Sequence, residues 1–281
     1  MSAGVLDGGR VAVLDRFDDV VPIFGDVTAL VGRRLRHLRR SPGKLLAVAL
    51  NPLVMIVALG YLFEASIVVP GGGTYQEYIF AGVAAQIGLT AIGPTAVGMA
   101  EDLRNGLVDR FRTLSISRAA VLIGHTVADL ILSAVTLLLV TGMGVLLGWR
   151  PHNGLGQTVA GFALLLLFSY ATLWVGVLLG LVMRSLESIE STGSLLLVLF
   201  SFVSNAFLST ERMPGWLGAV AEWNPLSCVA AACRHLWGNP IAASGSLPSE
   251  QPVLVAMVVL ALMMVITVPL AVRAFSTAAT R

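Results

Sequence analysis

Apolar residues in this chain run in long blocks, and polar residues are confined mainly to the stretches between them. A helix needs about 20 apolar residues to cross roughly 30 Å of hydrocarbon at 1.5 Å per residue. Six blocks meet that length or approach it: residues 44–63, 79–100, 119–147, 158–183, 193–210 and 252–274. The pattern predicts an all-α, polytopic membrane protein with six transmembrane helices. The third block is longer than a bilayer requires and is expected to tilt or to project from the surface. The fifth is short, and its helix is expected to extend back over Glu190 or on toward Arg212.

The segments between the blocks are patterned too. Placed at 100° per residue, Phe24, Val27, Val31, Leu35 and Leu38 fall within an arc of about 80°, with Arg33, Arg36 and Arg40 opposite. A basic two-faced helix over 24–40, just ahead of a first span, is expected to lie in the headgroup plane. A nucleic-acid partner is disfavoured, because the apolar stripe would then face water. Ser41-Pro42-Gly43 then turns the chain into the membrane.

The stretch 101–118, EDLRNGLVDRFRTLSISR, carries seven charges in eighteen residues, in a chain where 12% of residues are charged. As a helix it aligns Leu103, Leu107, Phe111 and Leu114 within about 80°, with Glu101, Asp102, Asp109 and Arg112 on the far side. Arg104 and Arg110 flank the apolar stripe, where their stems can snorkel. Such a helix suits a groove on a partner protein or the lipid interface. A signal that merely fixed topology would need the arginines, but neither the aligned apolar residues nor the acids. Residues 211–251 are long for a loop and poor in charge. Apolar residues there stand at helical spacing, broken at Met213-Pro214 and at Asn224-Pro225. Two short helices within 211–240 are expected, resting on the outer leaflet with Trp216, Trp223 and Trp237 at interface depth.

Composition agrees with a membrane setting. The chain is 56% hydrophobic with a mean hydropathy of +0.85, whereas a soluble domain is about 45–50% apolar and about a quarter charged. The net charge of +2 says less than its placement. With the N-terminus inside, fifteen of the eighteen Lys and Arg residues lie on the cytoplasmic side, and only Arg150, Arg212 and Arg234 lie outside. The positive-inside rule then places both termini in the cytoplasm and makes 101–118 the first cytoplasmic loop. Seventeen Arg to one Lys, with abundant Ala, Gly and Val, matches high-GC bacterial usage, so a bacterial plasma membrane is expected. The first 26 residues hold five Asp and no long apolar run, so no cleavable signal peptide is expected. The expected organisation is a cytoplasmic tail over 1–23, the interfacial helix over 24–40, one six-span domain over 44–274, and a short cytoplasmic tail over 275–281.

Candidate chemistry is sparse. His125 and Asp129 stand four apart inside the third block, and so on one helix face. A carboxyl group at that depth seldom faces lipid. It either clamps two helices together or handles substrate or protons in a cavity. Cys228 and Cys233, five apart, fit neither a redox motif nor a metal pair and read as small core fillers. The chain carries no G-x-x-x-x-G-K-[ST] phosphate loop, so an ATPase of that kind is excluded. The four histidines, His37, His125, His152 and His235, are spread over both sides and the middle and cannot form one metal cluster. A Ser–His membrane protease fails as well, since Ser246 lies in an outer loop and the last block has no His.

Three stretches in order resemble a known family. They are RRSPGKLLAVALNPLVM, with Asn51-Pro52 in the first span, EDLRNGLVDRFRTLSISR, with Glu101, Gly106, Arg110 and Arg118, and SNAFLSTERMPGWLGAVAEWNPLS followed by CRHLWGNP. Together they resemble the permease subunit of ABC-2 type exporters, and most of all its drug-export branch, which includes daunorubicin-resistance permeases. The resemblance implies six spans per subunit. It also implies a second permease subunit, here taken as identical, and two copies of a separate ATPase that hold the ATP and Mg; this chain holds no cofactor itself. Residues 101–118 become the coupling helix, with Glu101, Asp102, Leu103, Gly106, Leu107, Asp109, Arg110, Phe111 and Leu114 as its ATPase-facing set. Met213, Pro214, Asn224 and Pro225 mark the short outer helices. Ser115 stands where many relatives have Pro. The implied cargo is a small lipophilic or amphipathic compound reached from membrane lipid or cytosol. A glycan exporter would call for more stacked aromatics than the 7% present. A channel or secondary transporter would need ionisable sites in several spans.

Overall fold

The computed structural model describes residues 42–62, 69, 72–104, 118–183, 185–208, 210, 213–241 and 245–278. Among the described residues every regular element is a helix: α1 Pro42–Leu62, α2 Tyr75–Thr90, α3 Ile92–Arg104, α4 Arg118–Leu146, α5 Leu155–Val182, α6 Leu186–Phe202, α7 Gly215–Glu222, α8 Pro225–Trp237, α9 Leu247–Glu250 and α10 Pro252–Ala278. The predicted interfacial helix 24–40, with Arg33, Arg36 and Arg40, lies outside the described residues.

Four rods are long and apolar enough to cross a membrane: Tyr75–Arg104, Leu122–Leu146, Leu155–Val182 and Pro252–Thr277. The first is α2 and α3 laid end to end, with a break at Ala91. Pro94 explains the break, because it has no N–H to give to the Thr90 carbonyl. The rod therefore outruns the predicted 79–100 at both ends. Its start is set by Thr74, whose hydroxyl accepts from the Glu77 amide. The predicted block 193–210 is corrected to α6, which begins seven residues earlier and stops at Phe202. Ser185 caps its start by accepting from the Ser188 amide, so the helix takes in Glu187 and Glu190, both exposed.

Two apolar clusters lie toward opposite ends of the bundle. The larger gathers Tyr75, Tyr78, Phe80, Trp149, Phe168, Val229 and Trp237 from α2, α5, α8 and the α4–α5 connection. The smaller joins Met99 of α3, Leu122 of α4, Trp174 and Val177 of α5, and Ala271 and Phe275 of α10. α5 is the hub, packed on α2, α3, α4, α8 and α10. Leu138, Leu146, Val159, Val198, Leu262 and Val265 are exposed on the outer faces of the long helices. That inverted surface is the one lipid selects, since a soluble protein of this size seldom shows so large an apolar area.

The α3–α5 packing is close enough to require glycine. A Cβ added at Gly180 would stand 2.3 Å from the Ala96 carbonyl oxygen and 2.9 Å from the Met99 Cβ. Gly156, at the start of the same helix, has nothing within 4 Å of such a Cβ. Gly180→Ala is therefore expected to destabilise the detergent-solubilised protein by about 1–3 kcal/mol, the usual cost of overpacking. Gly156→Ala should not lower the midpoint of thermal unfolding, which is the measurement that compares them.

Candidate functional site

The polar site singled out by sequence is real as a cluster, and larger than a pair. His125 lies on α4 with its side chain 3% exposed, between Asp102 and Asp129. Its Nδ1 stands 3.3 Å from Asp102 Oδ2, and its Nε2 stands 3.6 Å from Asp129 Oδ2. The same Nε2 lies 3.3 Å from the Thr95 carbonyl oxygen. The Thr95 hydroxyl donates to Asp129 Oδ2 at 2.7 Å, which joins α3 to α4 a second time. The arrangement is a clamp between helices, one of the two arrangements the spacing allowed. The clamp brings in Asp102, which helical angles alone had put on the docking face. Thr95 carries no signal in the sequence, because a threonine in an apolar block reads as filler.

The coupling set divides at the limit of the described chain. Glu101, Asp102, Leu103 and Arg104 form the last turn of α3, so no break separates the second rod from the charged stretch. Glu101 and Arg104 are exposed, Asp102 and Leu103 half-buried. Leu103 packs against the smaller apolar cluster. Gly106, Leu107, Asp109, Arg110, Phe111 and Leu114 lie outside the described residues, and Arg118 opens α4.

At the opposite end, the two short helices are α7 and α8. Pro214 caps α7, and Met213 precedes it with its amide on the Thr210 carbonyl. Asn224 caps α8 by accepting from the Leu226 amide, and Pro225 takes the first helical position, where a missing N–H costs nothing. The Asn224 side-chain amide also donates to the carbonyls of Phe200 and Val203, the last acceptors of α6. One residue thus starts α8 and finishes α6. Arg234, 2% exposed, continues the task. Its Nε donates to the Tyr78 carbonyl at 2.9 Å, and its terminal nitrogens donate to the carbonyls of Asn205 and Ala206 and to the Asn205 side chain. The guanidinium also stacks over the Tyr78 ring at 3.7 Å. All these acceptors are uncharged, and burial pushes the Arg234 pKa below its ordinary value. A cavity of about 20 Å³ beside it, lined by Tyr78, Asn205, Glu222 and Ser227, is far below the roughly 300–1,000 Å³ of a small-molecule pocket.

Trp237 corrects the interfacial expectation. It is fully buried, while Trp216 and Trp223 are exposed. Its indole donates to the Thr158 carbonyl and packs with Phe80, Trp149 and Phe162. Gly161 makes the room: a Cβ there would lie 2.4 Å from the indole nitrogen. The connection after α4 closes over the cluster, with Trp149 donating to Asn239 and Asn153 donating to the carbonyls of His235 and Leu236.

Residues 26–237 match the ABC-2 type transporter family. The chain belongs to that family. Its match takes in the charged stretch, the His125 clamp and the two short outer helices. Among similar proteins, the daunorubicin resistance ABC transporter permease protein DrrB1 of Streptomyces coeruleorubidus is 30% identical over 204 residues, 73% of this chain and 72% of that protein. The probable doxorubicin resistance ABC transporter permease protein DrrC of Mycobacterium tuberculosis is 26% identical over 200 residues, 71% of each. The putative transport permease ycf38 of Porphyra purpurea is 25% identical over 229 residues, 77% of this chain and 75% of that protein. Family and apolar rods together make this ABC-2 chain a multi-pass membrane protein.

Two outcomes follow from the outer end. Arg234→Lys puts a compact ammonium where a planar fork reaches four acceptors. It is expected to cost about 1–3 kcal/mol, read as a lowered thermal midpoint in detergent. Burial pushes the Cys228 thiol up to about 11, and Cys233 higher still. Thiolate, the reactive form, is then scarce below that pH. Neither cysteine should label with a maleimide at pH 7.5 in the folded chain, and both should label after denaturation, as read by mass spectrometry.

Proposed function

We propose that this chain is the membrane subunit of an ATP-driven exporter, energised by a separate ATPase that docks on residues 101–118. The observation that carries the reading is the ABC-2 family match over 26–237, which includes that stretch. Support comes from its chemistry: four aligned apolar residues backed by acids and arginines form a face suited to a protein groove. Nucleotide-driven closure of the ATPase pair would push this segment and the 24–40 helix. The helix bundle would then shift between inward-facing and outward-facing populations, by as much as the two states differ in nucleotide affinity. The functional unit is a pair of identical permease chains with two ATPase subunits, which hold ATP and Mg. Both termini face the cytoplasm of a bacterial cell, in keeping with the distribution of Lys and Arg.

The cargo is a lipophilic or amphipathic drug-like metabolite. This reading is supported by two similar proteins named for daunorubicin and doxorubicin resistance, and by outer faces and a core built mainly from aliphatic residues rather than stacked aromatics. Replacing Leu107 and Phe111 together by Asp removes two of the four apolar contacts of the docking face. The double variant is expected to insert into the membrane at wild-type level and to lose the ATPase on affinity purification. ATPase recovery equal to wild type would overturn the docking assignment.

A further inference from the structure

The place of the His125 clamp gives it a task beyond sealing polar atoms between helices. Residues 105–117 leave α3 after Arg104 and return at Arg118 into α4, so the last turns of α3 and the first turns of α4 are the two stems of one segment. The stems touch each other little elsewhere among the described residues. Met99 and Leu103 of α3, with Leu122 and Ile123 of α4, pack instead onto Trp174 of α5 and Phe275 of α10. Such apolar packing is non-directional and lets one helix slip along another.

The clamp is directional. In a helix, carbonyls aim toward the C-terminus and side chains lean toward the N-terminus. The Thr95 carbonyl and the Asp102 carboxylate, two turns apart on one face of α3, therefore converge on one level, and His125 occupies it with a ring nitrogen toward each. Asp129, one turn beyond His125 on α4, is held by the Thr95 hydroxyl. Sliding either stem by half a turn would break the contacts at both ring nitrogens and leave buried polar groups without partners, which costs more than the contacts gain when made. We infer that His125 is a positioning residue that locks the two stems into one lever, so that displacement of residues 105–117 carries α3 and α4 together. This rests on the reading that residues 105–117 receive the push of the ATPase.

The test uses the full chain with its ATPase in lipid nanodiscs, with spin labels at Pro94 on α3 and Val127 on α4. Distances are measured without nucleotide and after trapping with ATP, Mg and vanadate. In the wild type the distance should hold through the cycle. In His125→Ala it should broaden and shift by more than about 2 Å, the scale of helix shifts in switching proteins. His125→Gln retains a donor for the Thr95 carbonyl and should recover part of the wild-type behaviour, whereas a residue that merely filled space would be replaced by Gln no better than by Ala. A wild-type distance that itself changes by more than about 2 Å overturns the lever even if no variant folds. An unchanged distance in His125→Ala overturns it too. ATPase recovery is scored on the same samples. Its loss from the wild type sinks the docking reading and the lever with it, while its retention alongside failed distance criteria sinks the lever alone.

Discussion

Hydrocarbon supplies no hydrogen-bond partner, so every backbone carbonyl left over where a helix stops must be satisfied from within the protein. The end of α6 shows what this constraint does to the structure. The helix stops at Phe202, and the acceptors at 200, 203, 205 and 206 pass to two side chains of α8, Asn224 and Arg234. Because those side chains must reach down to α6, α8 is drawn into the bundle instead of lying on its surface. The burial of Trp237, the closure of the α4–α5 connection over it and the tight approach of Gly161 all follow from that placement.

The same constraint acts at the other end with charged groups. A lone carboxylate or imidazole among Met99, Leu122 and Trp174 would be expensive. Grouped with the Thr95 hydroxyl and carbonyl, Asp102, His125 and Asp129 satisfy one another. A satisfied network of this kind is specific in geometry: it fixes the axial register of α3 against α4, which apolar packing alone leaves free. The two ends of the bundle therefore differ in kind. One is closed by a cation held by neutral carbonyls, the other by an imidazole held between carboxylates. The first joins α8 to α2 and to the chain after α6, and the second joins the two stems of the segment on which the ATPase is proposed to act.

Long apolar blocks, their number and their approximate limits are properties of a one-dimensional pattern, and they were legible because burial in lipid demands length and hydrophobicity from each helix separately. The starts of α7 and α8 were legible for a related reason: Met213-Pro214 and Asn224-Pro225 are local signals whose effect does not wait for a partner. The pairing of His125 with Asp129 followed from helical spacing.

What the pattern could not hold was any fact requiring two distant segments at once. Asp102 reads as a surface acid until α4 is laid beside α3, 23 positions later in the chain. Trp237 reads as an interfacial indole until Gly161 opens a slot for it in α5. The end of α6 reads as continuing to 210, because Val203, Ala206, Phe207 and Leu208 are apolar; it stops where α8 offers better partners for its last carbonyls. Sequence alone determined that this chain is a helical membrane protein with one dense charged segment between two spans, since those are sums over neighbouring residues. Only the tertiary structure decided which polar groups meet, because a hydrogen bond or a close glycine contact depends on two separate helices arriving at the same point.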